Sequence, residues 1–168
     1  MPVTPTGLMP TAMKLLGDMV AASSAFQTEV GAANATEALT YIHKHREDDP
    51  AQDAFACIYM GQLNEEPVAG GSRNYFRVTG TLELELVRKI GDSEADDYED
   101  IGTAFLNWRD AVWANVRTLA AASGYLNITS GSWEEMSSPL PSNRAADRAA
   151  ANRTDISSTC TIEFQGAG

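Results

Sequence analysis

The sequence has few of the side chains that carry out covalent and metal chemistry. It contains two histidines and two cysteines in 168 residues, and neither His43 nor His45 has a cysteine nearby. The surrounding pattern predicts a helix, on which residues two apart point in nearly opposite directions and cannot share a metal. Phosphate-loop and nucleophile motifs are missing as well. We therefore expect no catalytic residue, no bound metal and no cofactor.

Cysteine is too scarce to indicate a disulfide framework. Cys57 and Cys160 are far apart in the chain, and each lies in an apolar, strand-like run. Two widely spaced cysteines do not establish a pairing, so we interpret both as small buried hydrophobes. Residues 1–10 lack the pattern of a signal peptide, and no apolar run approaches the length of a membrane span. We expect the chain to fold in a reducing cytoplasm, without a membrane partner.

Basic residues are also scarce. Twelve Lys and Arg stand against 23 Asp and Glu, which gives a formal charge of −11. This balance disfavours a broad electrostatic grip on nucleic acid, although an acidic wall would let DNA slide past it. We predict that an acidic face lines a lumen or meets a partner. Its candidate residues are Asp92, Glu94, Asp96, Asp97, Glu83 and Glu85.

The clearest pattern that is present is a strict alternation over 76–89. Val78, Leu82, Leu84 and Leu86 share one parity, and charged or polar residues such as Glu83 occupy the other. Side chains alternate across a strand, so this pattern predicts one long strand with an apolar face and a wet face.

Helical spacing recurs in three segments. It predicts a helix over 11–30 that Gly31 ends, a shorter helix from Asn34 or Thr36 to about residue 45, and a long amphipathic helix ended by Gly124. The apolar stripe of the long helix consists of Ile101, Phe105, Trp108, Val112, Val116 and Leu119. Trp113 lies off that stripe, where it would contact a second layer or another subunit, or alternatively lie under the first helix.

Strand-like runs cover 54–62, 126–133 and 156–165, and a Gly- and Pro-containing hairpin loop is predicted over 64–74. Together with 76–89 they predict an α+β fold: a four-stranded, mainly antiparallel sheet with helices packed on one face. The predicted organisation is a flexible N-terminal arm at 1–10 and a single domain over 11–168. That domain would carry an extended insert at about 137–154.

The insert is unusually basic for this chain. Arg144, Arg148 and Arg153 stand there against a single acidic residue, Asp147. These arginines are candidate inter-subunit contacts, because a basic arm would pair with the acidic face of a neighbouring copy. Such head-to-tail contacts close into a ring when the rotation permits. The alternative is a solvated linker.

The order of these elements resembles the tail terminator, or tail completion, proteins of long-tailed bacteriophages. The resemblance rests on the helix around Ala38-Leu39-Thr40-Tyr41-Ile42, the short strand Phe55-Ala56-Cys57-Ile58, the long strand over 79–87, the long helix over 101–122 and two closing strands. It implies a structural virion protein. It also implies a homo-oligomeric ring, usually a hexamer, that caps the tail tube and joins it to the head–tail connector while DNA passes through the lumen.

Other functions fit the same features. A head–tail connector or stopper, or the tail-tube protein itself, would also be a small acidic ring-former. A small ligand-binding domain or enzyme is a more distant alternative. The resemblance implies that the chain is made in the host cytoplasm and ends in the virion tail, with itself, the tail-tube protein and the connector as partners.

Overall fold

The computed structural model describes residues 7–44, 52–67, 76–90, 98–123, 126–135 and 155–167. Its helices are α1 (Leu8–Ala22), α2 (Ser24–Val30), α3 (Ala35–Ala38) and α4 (Tyr98–Ser123), with a 3₁₀ turn at Leu39–Tyr41. Its strands are β1 (Ile42–His43), β2 (Ala54–Pro67), β3 (Phe76–Lys89), β4 (Asn127–Trp133) and β5 (Asp155–Ala167). The predicted α+β class is confirmed.

The sheet has five strands in the order β1-β2-β3-β5-β4. The prediction of four strands was wrong, because β1 was assigned to a helix. In the structure the short helix gives way to a 3₁₀ turn and then to extended backbone at Ile42, which pairs in parallel with Ala56. A helix of one or two turns has little stability of its own, so pairing with β2 overrides it. All other neighbouring strands are antiparallel.

The predicted first helix is interrupted at Ser23. This residue is fully buried and extended, with φ −67° and ψ 120°, and its side chain accepts a hydrogen bond from the backbone N–H of Phe26. Ser23 therefore acts as the N-cap of α2, a role in which serine competes well with the helix interior. Gly31 ends α2 in the left-handed conformation, with φ 72°, as predicted.

α1 begins earlier than predicted, so residues 8–10 do not belong to an irregular arm. Gly7 is the N-cap, and Pro10 lies in the first turn. Proline is tolerated there because the first N–H groups of a helix have no intrahelical partner. The Thr11 hydroxyl donates to the Gly7 carbonyl at 2.7 Å instead of capping the helix itself.

The main core lies between one face of the sheet and the helices. We call this side of the sheet the helix face, and the predicted packing of helices on one face is confirmed there. β3 contributes its predicted apolar parity, including the fully buried Leu82, Leu84 and Leu86. α4 contributes its predicted stripe, with Phe105, Val112 and Val116 fully buried.

β2 and β4 each carry a β-bulge. On β2, Gly61 and Gln62 together stand opposite Thr81, and the Gln62 N–H donates to the Thr81 hydroxyl at 2.8 Å. On β4, Thr129 is the extra residue. The loop was predicted to start at residue 64 because of Pro67, Gly70 and Gly71, but β2 continues through its bulge to Pro67. The rest of the predicted loop, 68–74, lies outside the described residues.

The two cysteines cannot reach one another. Cys57 is paired with Glu85, and Cys160 is paired with Leu84, so the two thiols lie on opposite faces of the sheet. Both are fully buried and neither forms a disulfide, as predicted for small hydrophobes.

We predict that Phe105→Ala lowers the free energy of unfolding by about 3–5 kcal/mol, because it opens a cavity in the core beneath α4. Thr103→Ala, an exposed change on the same helix, should stay within about 0.5 kcal/mol of wild type. Chemical denaturation of both variants checks this, and equal midpoints for Phe105→Ala and wild type would contradict the packing.

Candidate assembly surfaces

We call the face of the sheet opposite the helices the outer face. It was predicted to be solvent-exposed throughout, but part of it is buried. Phe55, Cys57 and Val87 form a second apolar cluster there, and Tyr59 packs against it. All three cluster residues are at most 1% exposed. The outer face therefore combines a buried apolar part with an exposed acidic part.

Glu85 belongs to the buried part. It is 6% exposed, and its carboxylate accepts a hydrogen bond from the Tyr59 hydroxyl at 2.8 Å. Burial, together with this hydrogen bond, raises the pKa of Tyr59 far above its ordinary value. Glu85 is thus unavailable as a lumen or partner charge, whereas Glu83, two residues earlier, is exposed.

His43 lies on β1 and not on a helix, so the geometric reason for excluding a shared metal does not apply. Its Nε2 lies 2.7 Å from the Gln52 side-chain oxygen, and its ring meets Phe55 edge-on at 5.5 Å. These contacts give His43 a structural role at the edge of β2. His45 lies outside the described residues.

Most predicted charged contacts also lie outside the described residues. They are Asp92, Glu94, Asp96, Asp97, Arg144, Arg148 and Arg153, and their roles stay predictions.

Trp113 is buried within the chain against β4, and not under the first helix or at a contact with another subunit. It is 9% exposed, and its ring meets that of Trp133 at 6.1 Å and 90°. The Arg109 guanidinium lies over the Trp133 ring, 5.0 Å from its centre. Little of Trp113 is left for a contact between subunits.

Gly131 makes the seating of Trp113 possible. A Cβ atom at Gly131 would lie 2.2 Å from the Trp113 ring, so only glycine lets the indole lie against β4. On β5, the strand paired with β4, burial raises the pKa of the Cys160 thiol to about 12, against the opposing effect of Arg109. At neutral pH this thiol is therefore protonated and is not an activated nucleophile.

A groove of about 280 Å³ opens between α4 and β4, beside Trp113. Its wall is apolar at Leu126 and Ile128 and carries the Arg117 guanidinium as its cation. This groove was not predictable from the sequence, because it arises only where the end of α4 passes over an edge strand.

Two exposed apolar side chains were also missed. Met60 is 64% exposed and Leu63 is 41% exposed, and both lie on β2 near its bulge. Among the described residues, the only other large hydrophobic residue exposed to this degree is Leu39, at 42%. The break in the alternation of apolar and polar residues at Met60-Gly61-Gln62 is the sequence feature that could have indicated these two exposed side chains.

A scan of protein-family models finds no match to this chain, and a search of curated protein sequences finds no significant match. None of the helices in the described ranges has the length and apolar character needed to span a membrane. Within the same ranges, no three His, Cys, Asp or Glu side chains group closely enough to hold a metal ion.

We predict that Gly131→Ala destabilises the protein by about 1–3 kcal/mol, because the added methyl group must displace the Trp113 ring. In an ordinary strand position the same change would be favourable or neutral, since alanine reduces the entropy of the unfolded chain. Near-ultraviolet circular dichroism should change as well. Ser132→Ala, an exposed neighbour, is the control, and wild-type stability of Gly131→Ala would contradict the close approach.

We predict a distinct alkaline limb in the stability of the wild type. A raised folded pKa means that the contribution of Tyr59 is fully present below the unfolded value of about 10, and is lost as pH rises towards the folded pKa. The free energy of unfolding should therefore fall above about pH 10 more steeply in wild type than in Tyr59→Phe. Tyr41→Phe is the matched control, and parallel curves for wild type and Tyr59→Phe would refute the assignment.

Proposed function

We propose that this chain is a phage tail terminator. In this role it forms a homo-oligomeric ring, hexameric in the family it resembles, which caps the tail tube and joins it to the head–tail connector. DNA passes through the lumen without sequence-specific contact. The protein acts as a virion component and not as an enzyme.

The observation that carries the proposal is the layout of the fold. One layer of helices covers one face of a mostly antiparallel sheet, and the strands of the β2–β3 hairpin are 14 residues each. From Met60 to Glu66 every residue of β2 is exposed, whereas the paired β3 residues Val78 and Leu82 are buried, so this part of β2 is an uncovered edge of the sheet. A long uncovered edge of this kind suits contact between subunits better than it suits enclosure of a substrate.

Charge also supports the proposal. The chain carries a net charge of −11, and Glu83, Glu65 and Glu66 are exposed on the β2–β3 hairpin. A wall with this charge repels the phosphate backbone and lets DNA move without being held. Repulsion between subunits must then be overcome by contacts that are mainly apolar or made by the backbone.

The tail-tube protein is a second candidate from the same biology. What favours it is that the sheet ends in edge strands on both sides, since β1 and β4 are outermost in the strand order. A tube protein stacks ring upon ring into long polymers, whereas a terminator stops at one ring. Electron microscopy at increasing protein concentration separates the two.

We predict that the purified protein forms discrete rings in negative-stain images and binds one end of preformed tail tubes. Charge reversal of Arg144, Arg148 and Arg153 to Glu should weaken the ring while the circular dichroism spectrum stays unchanged. Exposed ion pairs contribute only about 0–1 kcal/mol each and are screened by salt, so the loss should be partial.

The control for this experiment is charge reversal of Lys14, an exposed cation on α1 that pairs locally with Asp18. Testing the two reversals separately shows whether position or net charge matters. Equal sedimentation of wild type and the triple variant would remove the arginines from the interface. A wild type that stays monomeric beside tail tubes would contradict the proposed function.

A further inference from the structure

The geometry points to the surface through which copies of this chain join: the exposed edge of β2 in one copy pairs with the exposed edge of β4 in the next. This inference deepens the proposed ring and rests on it for closure. The pairing itself would hold for any head-to-tail assembly of the chain. We infer this pairing from three properties of the two edges: the rows of the sheet over which they are open, the directions of their strands and the side chains on the helix face.

The two edges are unpaired at the same height of the sheet. Among the described residues, β1 pairs only with Ala56 and Cys57, so the free edge of β2 runs from Ile58 onwards. Following the register across the sheet, Ile58 shares its row with Trp133, and Asn64 shares its row with Asn127. Within the described ranges β4 pairs only with β5, so its outer edge is open over the same rows that β1 leaves uncovered on β2.

The strand directions also agree. β2, β3, β5 and β4 alternate in direction because each is antiparallel to the next. When two copies face the same way, as in a ring, β2 of the second copy runs antiparallel to β4 of the first. The alternation then continues from copy to copy without interruption.

The side chains at the two edges fit on the helix face. Met60 shares its row with Gly131, and beyond the bulge Leu63 shares its row with Ile128. Joined at these rows, the exposed Met60 and Leu63 of one copy would lie over the groove beside Trp113 of the next. A stagger of two residues, which ring closure introduces, keeps the same faces together.

Charge selects head-to-tail pairing over a symmetric contact. The end of β2 carries the exposed Glu65 and Glu66, and the groove at β4 carries the exposed Arg117. Pairing two β2 edges around a two-fold axis would set Glu65 and Glu66 against a strand that carries no cation, whereas pairing with β4 offers Arg117, and opposite charges on facing elements stabilise a sheet contact. Pairing two β4 edges would leave Met60 and Leu63 in water.

Disulfide trapping tests the contact directly. In one chain, Asn64 and Asn127 are three strand spacings apart, about 14 Å, which is too far for a disulfide. Facing each other across two paired edges, their Cα atoms would be about 4.5–5.5 Å apart, within disulfide range. Oxidation of the double variant Asn64→Cys/Asn127→Cys should give a ladder of covalent oligomers, and Gln62→Cys/Asn127→Cys samples a stagger of two residues.

The single variants show which edges meet. Asn64→Cys mixed with a size-tagged Asn127→Cys should give a mixed dimer and no higher species. Wild type is the background control because Cys57 and Cys160 are fully buried. Asn107→Cys, an exposed position on α4, replaces Asn127→Cys in a second control that should give no mixed dimer. Dimers of Asn64→Cys alone would overturn the head-to-tail arrangement in favour of a two-fold contact.

Leucine substitution tests the side-chain fit. Leu63→Glu should weaken self-association about tenfold or more, measured by sedimentation velocity over a concentration series. Leu39→Glu is a closely matched control, since Leu39 is 42% exposed and Leu63 is 41% exposed. Equal weakening by both changes would overturn the assignment of this edge to the interface.

The outcomes separate the contact from the proposed function. Rings without cross-links in either register would overturn the edge pairing and leave the tail terminator proposal intact. A cross-linked ladder from protein that fails to bind tail tubes would support the pairing and contradict the terminator role. Protein that stays monomeric and uncross-linked at all concentrations would overturn the pairing.

Discussion

The register of β3 is the constraint on which the rest of the structure depends. This strand is paired along both edges, and its alternation puts Leu82, Leu84 and Leu86 beneath the helices. A slip of one residue would turn all three towards the outer face, so the register is strongly specified. The positions of β2 and β5 along the strand direction are fixed by their register with β3, and the position of β4 is fixed by its register with β5. The level of both sheet edges is therefore set by one strand that touches neither.

Features with a local period were predictable from the sequence. The helix face of β3 and the stripe of α4 were found because burial repeats every two residues in one and every three to four in the other. Gly31 was found because a left-handed residue after a helix favours glycine. β1 and the break at Ser23 were missed, since each depends on partners that only the folded chain brings close.

The surfaces were less predictable than the core, for a related reason. Alternation tells which residues share a face, but not whether that face is covered. Glu85 has the parity of Glu83, yet it is buried with Tyr59, while Glu83 remains exposed. Trp113 was recognised as lying off the main stripe, but the glycine on β4 that receives it is 18 positions away in the sequence. To tell which residues of the β2 edge lie level with which residues of the β4 edge, one needs the register of all four strands from β2 to β4, including both bulges.

The two bulges have a mechanical consequence for the sheet. The extra residue of β2 stands opposite Thr81, and that of β4 stands beside Glu163, and Thr81 and Glu163 are themselves paired. A bulge bends its strand and increases the local twist. Because both bends fall in one row, they crease the sheet along a line that crosses its strands. In a wall built from such sheets the angle of the crease would set the taper of the opening.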